Sequence, residues 1–367
     1  MRSLASSSNL QGAESAKREV IEALSGKERV FIIHHWDGDG LCSASLLKEG
    51  LREKFGAEVE NCVPDIVTYL IDDFVIRSIE RFSPDAIVVA DLGIPPSEYD
   101  RLQEKFSVPV VVIDHHRQET TPSKVVFYNP VVLFGEDVPS TTLLVDRILD
   151  NEVSLRTVVG IVGDLGLQRV GEHPIFSLVR GFLEKRGINL ETVDRCKTLM
   201  EAAYRIGKRE ETIKVVDKLI EYGDDVERIL SDEEWNRYLE MFEKEWERLS
   251  SREPEKLREN VLYLHVKTDC IVTSVLARKI AFENPGKVAV VVNEYLSMPY
   301  AQIYVRRYKM DLDLSVLIRK IRSGAVDVIS VGGKKEVMGV IAEKGRLDEV
   351  LNFILENLPP EAHRHQS

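Results

Sequence analysis

The sequence predicts an α/β protein: a doubly wound parallel sheet over residues 16–180, a helical connector over 181–260 and a smaller α/β domain over 261–346. Three observations carry the prediction. Between residues 16 and 180 short apolar runs alternate with amphipathic stretches, the pattern of strands and crossover helices in a parallel sheet. Strands then vanish, charge rises and a 3.6-residue period dominates, as in 212–220. From Val261 short apolar runs return, with helical stretches between them.

In chain order, residues 1–15 are Ser-rich and polar, lack the hydrophobic core of a secretory signal, and are expected to be a disordered leader. A helix is expected over 16–24, a strand over 30–33, a helix over 42–54 and a strand over 59–63. Helices over 70–79 and 97–105 flank an apolar run at 86–90, and further apolar runs stand at 108–113 and 158–163. Asn129-Pro130 marks a turn, after which Ser140-Thr141-Thr142 opens another helix, most simply as its N-cap. In the connector, Ser231-Asp232-Glu233-Glu234 fits a capping box. Trp235, Tyr238, Phe242 and Trp246 follow at three- and four-residue steps. Such a stripe is either a helix's core face or a stacking surface for bases, and the periodicity favours core. A boundary is expected near 250–255. Beyond it, strands are expected over 261–266, 288–292, 302–305 and 326–330, helices over 271–283 and 314–323, and a C-terminal helix and tail over 347–367.

Composition narrows the function classes. Of 367 residues, 44% are apolar and 30% charged, values of a globular chain long enough for two or three domains. No apolar stretch approaches the ~20 residues of a membrane span. Cys42, Cys62, Cys196 and Cys270 are dispersed without a CxxC pair, so free thiols and a cytoplasmic location are expected. Net charge is −12, but unevenly spread: residues 261–345 hold thirteen Lys and Arg against eight Asp and Glu, whereas the first 260 hold 34 against 49. An acidic chain is ill suited to coating duplex DNA, while a locally basic domain can guide a polyanion end-on. No signature of sequence-specific reading is present.

The chemistry lies where apolar runs end. Residues 30–33 lead into His34-His35-Trp36-Asp37-Gly38-Asp39-Gly40, residues 86–90 into Asp91-Leu92-Gly93, residues 108–113 into Asp114-His115-His116, and residues 158–163 into Asp164-Leu165-Gly166. Taken singly, each is open to a bland reading: a turn at Asp39-Gly40 or Asp164–Gly166, a helix cap at Asp114, a satisfied core histidine at His115. Together they place carboxylates and imidazoles at four run ends, where leaving them buried and unpaired would cost several kcal/mol or more. In an open parallel sheet the carboxyl ends of the strands line one crevice. Asp37, Asp39, Asp91, His115 and Asp164 are expected to meet there, with His35 beside them and His34 as its alternative. Oxygen and imidazole donors suit Mn²⁺ or Mg²⁺, and two ions ~4 Å apart allow direct hydrolysis by activated water without a side-chain nucleophile.

The set HxDxDG, ADLG, DHH and GDLG, spanning residues 35–166, resembles the four motifs of the DHH phosphoesterase superfamily. The resemblance implies that Asp37 and Asp39 ligate different divalent ions, two in all with Mn²⁺ preferred over Mg²⁺. It further implies that Asp91 bridges them, that His115, Asp164 and His35 are further ligands, that His116 contacts the scissile phosphate, and that Asp114 orients a ligand. The family often has a segment like Ser140-Thr141 near the phosphates. Residues 331–339 resemble the GGGH loop of the DHH-associated substrate domain, with Gly332 and Gly333 in place, Val331 at the first glycine and Lys334 where the family usually has histidine. Lysine can bind phosphate as a point charge but cannot replace a neutral imidazole. Arg306 looks like the family's substrate arginine, its bland reading being a solvated edge. The connector is similar to that of archaeal RecJ-like nucleases, including helicase-associated ones. The resemblance thus implies a Mn²⁺-dependent exonuclease on single-stranded DNA or RNA, DNA preferred and 3′→5′, with a repair or replication helicase as partner through the connector. The alternatives are a nano-RNase or pAp phosphatase on short substrates, and a catalytically weak scaffold.

Overall fold

The computed structural model describes residues 7–68 and 70–358, which form two compact units. The first comprises the chain up to Tyr204 with Lys208–Leu239; the second comprises Arg205–Gly207 and the chain from Glu240 onward.

The first unit is built on five parallel strands, β1 (Arg29–His34), β2 (Glu58–Cys62), β3 (Ala86–Ala90), β4 (Val110–Ile113) and β5 (Val126–Tyr128), in the order β2-β1-β3-β4-β5. The apolar runs are continuous because both faces are covered, so no position of β1, β3 or β4 from Val30, Ala86 or Val110 onward meets solvent. On one face Phe31, Ile33, Ile87, Val89 and Val112 pack on Val75, Ile79, Tyr99 and Leu102 of helices Asp73–Phe82 and Pro96–Phe106. Each such burial contributes about 1.5–3 kcal/mol. Helix Gly38–Phe55 lies against β1 and β2 and is itself covered by helices Thr141–Leu149 and Leu155–Leu165. The strand order reverses between β1 and β3, so the chain leaves their carboxyl ends toward opposite sides and opens a crevice there.

Several expectations change. The run at 158–163 is not a strand but the middle of helix Leu155–Leu165, started by a reciprocal Ser154–Thr157 capping box. Its residues from Leu155 to Val162 are all buried, and a helix apolar all round shows the same unbroken run as a buried strand. The first helix runs Ser7–Leu24, so it begins inside the expected leader; residues 1–6 and the tail beyond 358 lie outside the described residues. The connector 181–260 is part of a longer stretch in which every element from Pro130 to Ser250 is a helix; the two units divide it, and strand β6 (Glu255–Arg258) falls within it. Asp232, not Ser231, caps helix Glu233–Ser250 by accepting from Trp235 N at 2.8 Å, while Trp235 and Tyr238 are buried as a core face.

The second unit carries a six-stranded sheet, β6, β7 (Val261–Lys267), β8 (Val288–Glu294), β9 (Tyr300–Arg307), β10 (Ser330–Lys334) and β11 (Val337–Glu343), ordered β10-β11-β9-β8-β7-β6. Only β7 and β8 run parallel, joined through helix Thr273–Glu283. Val290, Val305, Met338 and Val340 form a core with Leu317, Ile321, Val350 and Ile354 of helices Leu314–Arg322 and Leu347–Asn357. The strand expected at 326–330 starts only at Ser330, and the glycine segment 331–339 is a hairpin rather than a free loop. Gly333 has φ 136°, and a Cβ there would stand 2.2 Å from the Val337 carbonyl oxygen, so the hairpin needs glycine at this position. Among the described residues no helix is long and apolar enough to cross a membrane, and all four cysteines are free and buried.

Candidate metal centre

Four segments of the first unit converge at the crevice. β1 ends at His34, and Asp37 caps helix Gly38–Phe55 by accepting from Gly40 N at 3.1 Å. His35 stacks on Trp36 with ring centroids 4.4 Å apart and brings Nδ1 to 2.9 Å from Asp37 Oδ2. In the first turn of the helix, Asp39 is fully buried. Its carboxylate accepts from the backbone N–H groups of Thr141 at 2.6 Å and Thr142 at 3.0 Å, at the N-terminus of helix Thr141–Leu149, where an anion is favoured.

Asp91 follows β3 with φ 59°, a left-handed conformation that costs a non-glycine residue about 1–2 kcal/mol. Its Oδ1 accepts from the Thr141 hydroxyl at 3.0 Å. After β4, His115 Nδ1 faces the Val138 carbonyl at 3.3 Å, a partner that can only accept, so Nδ1 carries the proton. Nε2 is thereby turned on three carboxylates: Asp164 at 2.8 Å, Asp91 at 3.5 Å and Asp39 at 3.7 Å. Asp164 reaches this point from the last turn of helix Leu155–Leu165.

Asp114 is also fully buried, and its Oδ1 accepts from His115 N at 2.7 Å, His116 N at 2.8 Å and His116 Nδ1 at 2.7 Å. It therefore orients the histidine pair, while the His116 ring remains half exposed at the crevice. His34 turns away from the site. Lys48, which can only donate, holds Asn61 Oδ1 at 2.8 Å, so the Asn61 amide nitrogen faces His34 Nε2 at 3.2 Å. Nε2 must accept, and Nδ1–H donates to the His35 carbonyl at 2.7 Å. Burial holds this imidazole down at about 4, so it is neutral.

The electrostatics favour a cation. Burial, followed by repulsion from Asp164, pushes the Asp39 carboxyl up to about 6. Burial and then Asp39 raise Asp91 well above its ordinary value. Burial would lower His115, yet its contacts with Asp164 and Asp91 push it up to about 12. Burial would raise Asp37 and Asp114, but His35 beside the first and the His116 donor on the second hold both below the usual carboxylate range. Carboxylates crowded out of water without full compensation, facing an imidazole nitrogen, are the donor set of a hard divalent cation. Ligand atoms within 4.8 Å of one another occur in His35-Asp37-Asp91, in Asp39-His115-Asp164 and in Asp91-His115-His116, so the residues fit such ions.

Other sequence-predicted residues stand elsewhere or do something else. Ser140 and Thr141 are fully buried, so they are corrected from substrate contacts to a cap and a brace: Ser140 caps the helix, and Thr141 holds Asp39 and Asp91. The anion at that helix N-terminus belongs to the protein. Arg306, Gly332, Gly333 and Lys334 belong to the second unit and to its sheet. Sequence reasoning missed Glu201, whose Oε1 accepts from Gly38 N at 3.1 Å, and Gly160, where a Cβ would stand 2.4 Å from Asp39 Oδ1. Neither carries a local signal, because each acts on a segment more than a hundred residues away.

The chain is similar to known proteins. The model of the DHH family, N-terminal domain, matches residues 29–157. The single-stranded-DNA-specific exonuclease RecJ of Bacillus subtilis (strain 168) is 27% identical over 109 residues, 29% of this chain and only 14% of that protein. The structure of exonuclease RecJ bound to manganese matches with a TM-score of 0.66 at 18% identity, over 95% of each chain. RecJ of Thermus thermophilus in complex with Mn²⁺ matches with a TM-score of 0.65 at 19% identity, over 95% of this chain and 55% of that one. Residues 29–157 thus match the N-terminal domain of the DHH family, and the chain shares the fold of the RecJ structures.

Proposed function

We propose that the chain is a metal-dependent phosphodiesterase, an exonuclease that hydrolyses single-stranded nucleic acid from an end, DNA in preference to RNA and 3′→5′. The observation that carries the reading is the pair of three-ligand groups, His35-Asp37-Asp91 and Asp39-His115-Asp164, with Asp91 also 3.5 Å from His115 Nε2 and so placed between them. In this reading each group holds one divalent cation, Mn²⁺ in preference to Mg²⁺, and Asp91 serves both. The bound ions would acidify an attacking water and neutralise charge at phosphorus. The chain's own residues do the rest. The Val138 carbonyl accepts from His115 Nδ1, so Nε2 is the nitrogen that would face an ion, the Thr141 and Thr142 amides fix Asp39, and Asp114 aims the exposed His116 ring at the phosphate position. The RecJ of Bacillus subtilis is single-stranded-DNA-specific, and the RecJ structures hold Mn²⁺ or Mg²⁺, which supports the substrate class and a divalent metal. The acidic connector 181–260 suits protein contacts better than DNA, and we assign to it a repair or replication helicase as partner, in the cytoplasm.

Digestion of end-labelled single-stranded DNA and RNA, from dimers to strands well beyond a ~4–16-nucleotide binding site, tests this reading. Mn²⁺-dependent shortening of long DNA, lost in Asp91→Ala with the fold intact, is expected, and the label gives the direction. Turnover confined to the shortest oligonucleotides would replace it with a salvage phosphodiesterase. Bound Mn²⁺ with no cleavage would replace it with a scaffold.

A further inference from the structure

Exposed aromatic rings in the first aromatic stripe are few, because Trp235 and Tyr238 are core. The second unit presents a different pair. Phe282, in the last turn of helix Thr273–Glu283, is 46% exposed although it is a large apolar side chain. Its ring lies 4.5 Å from that of Tyr308, which follows β9 directly. The Arg306 guanidinium stands 5.3 Å from the Phe282 ring and Lys309 Nζ 5.5 Å from the Tyr308 ring.

Strand register extends the patch. Arg306, Val337 and Lys334 are directly opposed across β9, β11 and β10, so their side chains share one face of the sheet. In the next row on that face stand Tyr304, Gly339 and Gly332. Two adjacent glycines leave a floor without side chains beside the Tyr304 ring, which is 3.6 Å from where a Gly339 Cβ would be. Arg306 Nε is buried with no hydrogen-bond partner. Among the described residues Arg306, Lys309 and Lys334 have no carboxylate partner, whereas neighbouring Arg307 is drawn to Glu336 at 3.4 Å. Cations left free beside exposed rings, in the segment of the chain with net positive charge, match a ligand that carries both anionic groups and flat heterocycles.

We propose that Phe282 and Tyr308 form a base-stacking platform for single-stranded nucleic acid on the second unit, with Arg306 and Lys309 taking the flanking phosphates. The inference rests on the nuclease reading above and adds to it the residues that carry bases. Ring stacking is indifferent to base identity, so the platform holds a strand without reading its sequence. The two rings are in contact and tilted at 45° to each other, so they do not stack face to face on one another.

The test is fluorescence anisotropy of the full chain with labelled oligothymidine of about 20 nucleotides, long enough to exceed one site, in EDTA so that nothing is cleaved. Phe282→Ala should lose affinity roughly 5- to 100-fold with the salt dependence unchanged, and Phe282→Trp should bind like wild type. Lys309→Gln should instead lower the salt slope by about 1. A strand with abasic sites should bind the wild type as weakly as the normal strand binds Phe282→Ala, and should distinguish wild type from variant no further. Tyr308→Leu, on the other ring, decides the matter if Phe282→Ala does not fold. Strand binding left intact by both variants, or equal loss for normal and abasic strands, would overturn the platform alone. Absence of strand binding by the wild type would remove the nuclease reading and the platform with it.

Discussion

Gly160→Ala isolates how rigidly Asp39 is held. In an exposed helix interior this change adds about 1 kcal/mol of stability, since alanine is the better helix former. Here the new Cβ would stand 2.3 Å from Thr142 Oγ1 and 2.4 Å from Asp39 Oδ1, about 1 Å inside ordinary contact. Neither neighbour can give way freely: Thr142 N and Thr141 N both hold Asp39, and Thr141 also holds Asp91. Overpacking of this kind costs about 1–3 kcal/mol, and a lost charge-assisted hydrogen bond about 1.5–3 kcal/mol more. The expected result is a net destabilisation of about 2–4 kcal/mol in urea unfolding of the metal-free chain, together with a Mn²⁺ affinity lowered about 10- to 100-fold by isothermal titration. Gly163→Ala is the control, because its Cβ would meet Lys197 Cδ at an ordinary 3.6 Å and should cost little. A Gly160→Ala chain as stable as wild type and with unchanged Mn²⁺ affinity would refute the argument that the Leu155–Leu165 helix clamps Asp39 in place.

Other perturbations bear on the same centre and its surroundings. His34→Leu removes the acceptor of one Asn61 amide hydrogen and the Nδ1 donor to the His35 carbonyl, so it should cost about 1–3 kcal/mol and weaken Mn²⁺ binding about 10-fold; equal affinity in a titration would mean that His34 does not set the loop. Mn²⁺ at about a hundred times its dissociation constant should stabilise the wild type by about 2.7 kcal/mol, raising its melting temperature, and Asp91→Ala should abolish that shift. Away from the centre, burial pushes Asp146 up to about 6 from an ordinary 3.8, so its native form holds a proton that the unfolded chain releases. Its stabilisation is therefore complete below pH about 3.8 and is lost as pH rises through about 6, by about 3 kcal/mol in all. The wild-type stability relative to Asp146→Asn should fall across that window and flatten above it; a difference independent of pH in urea titrations would show that Asp146 titrates normally.

The sequence by itself determined the parallel sheet and most of the centre. Runs such as 30–33, 86–90 and 108–113 are apolar at every position because helices cover both faces, and the polar residues after each run have nowhere to go but the carboxyl edge. Asp37, Asp39, Asp91 and His115 were legible for that reason. Asp164 was legible as a residue but not as a helix end, since a helix buried on all sides shows the same run as a strand. Only the tertiary structure decided between His34 and His35, because the choice rests on Asn61 and Lys48, which reach His34 from other elements. The same holds for Ser140 and Thr141, whose helix N-terminus receives Asp39 from a hundred residues away, and for Phe282 and Tyr308, 26 positions apart, which meet only across a helix end and a strand end. Local periodicity reports how a segment is covered; which donor meets which acceptor, and which ring meets which, depends on long-range packing that spacing along the chain does not encode.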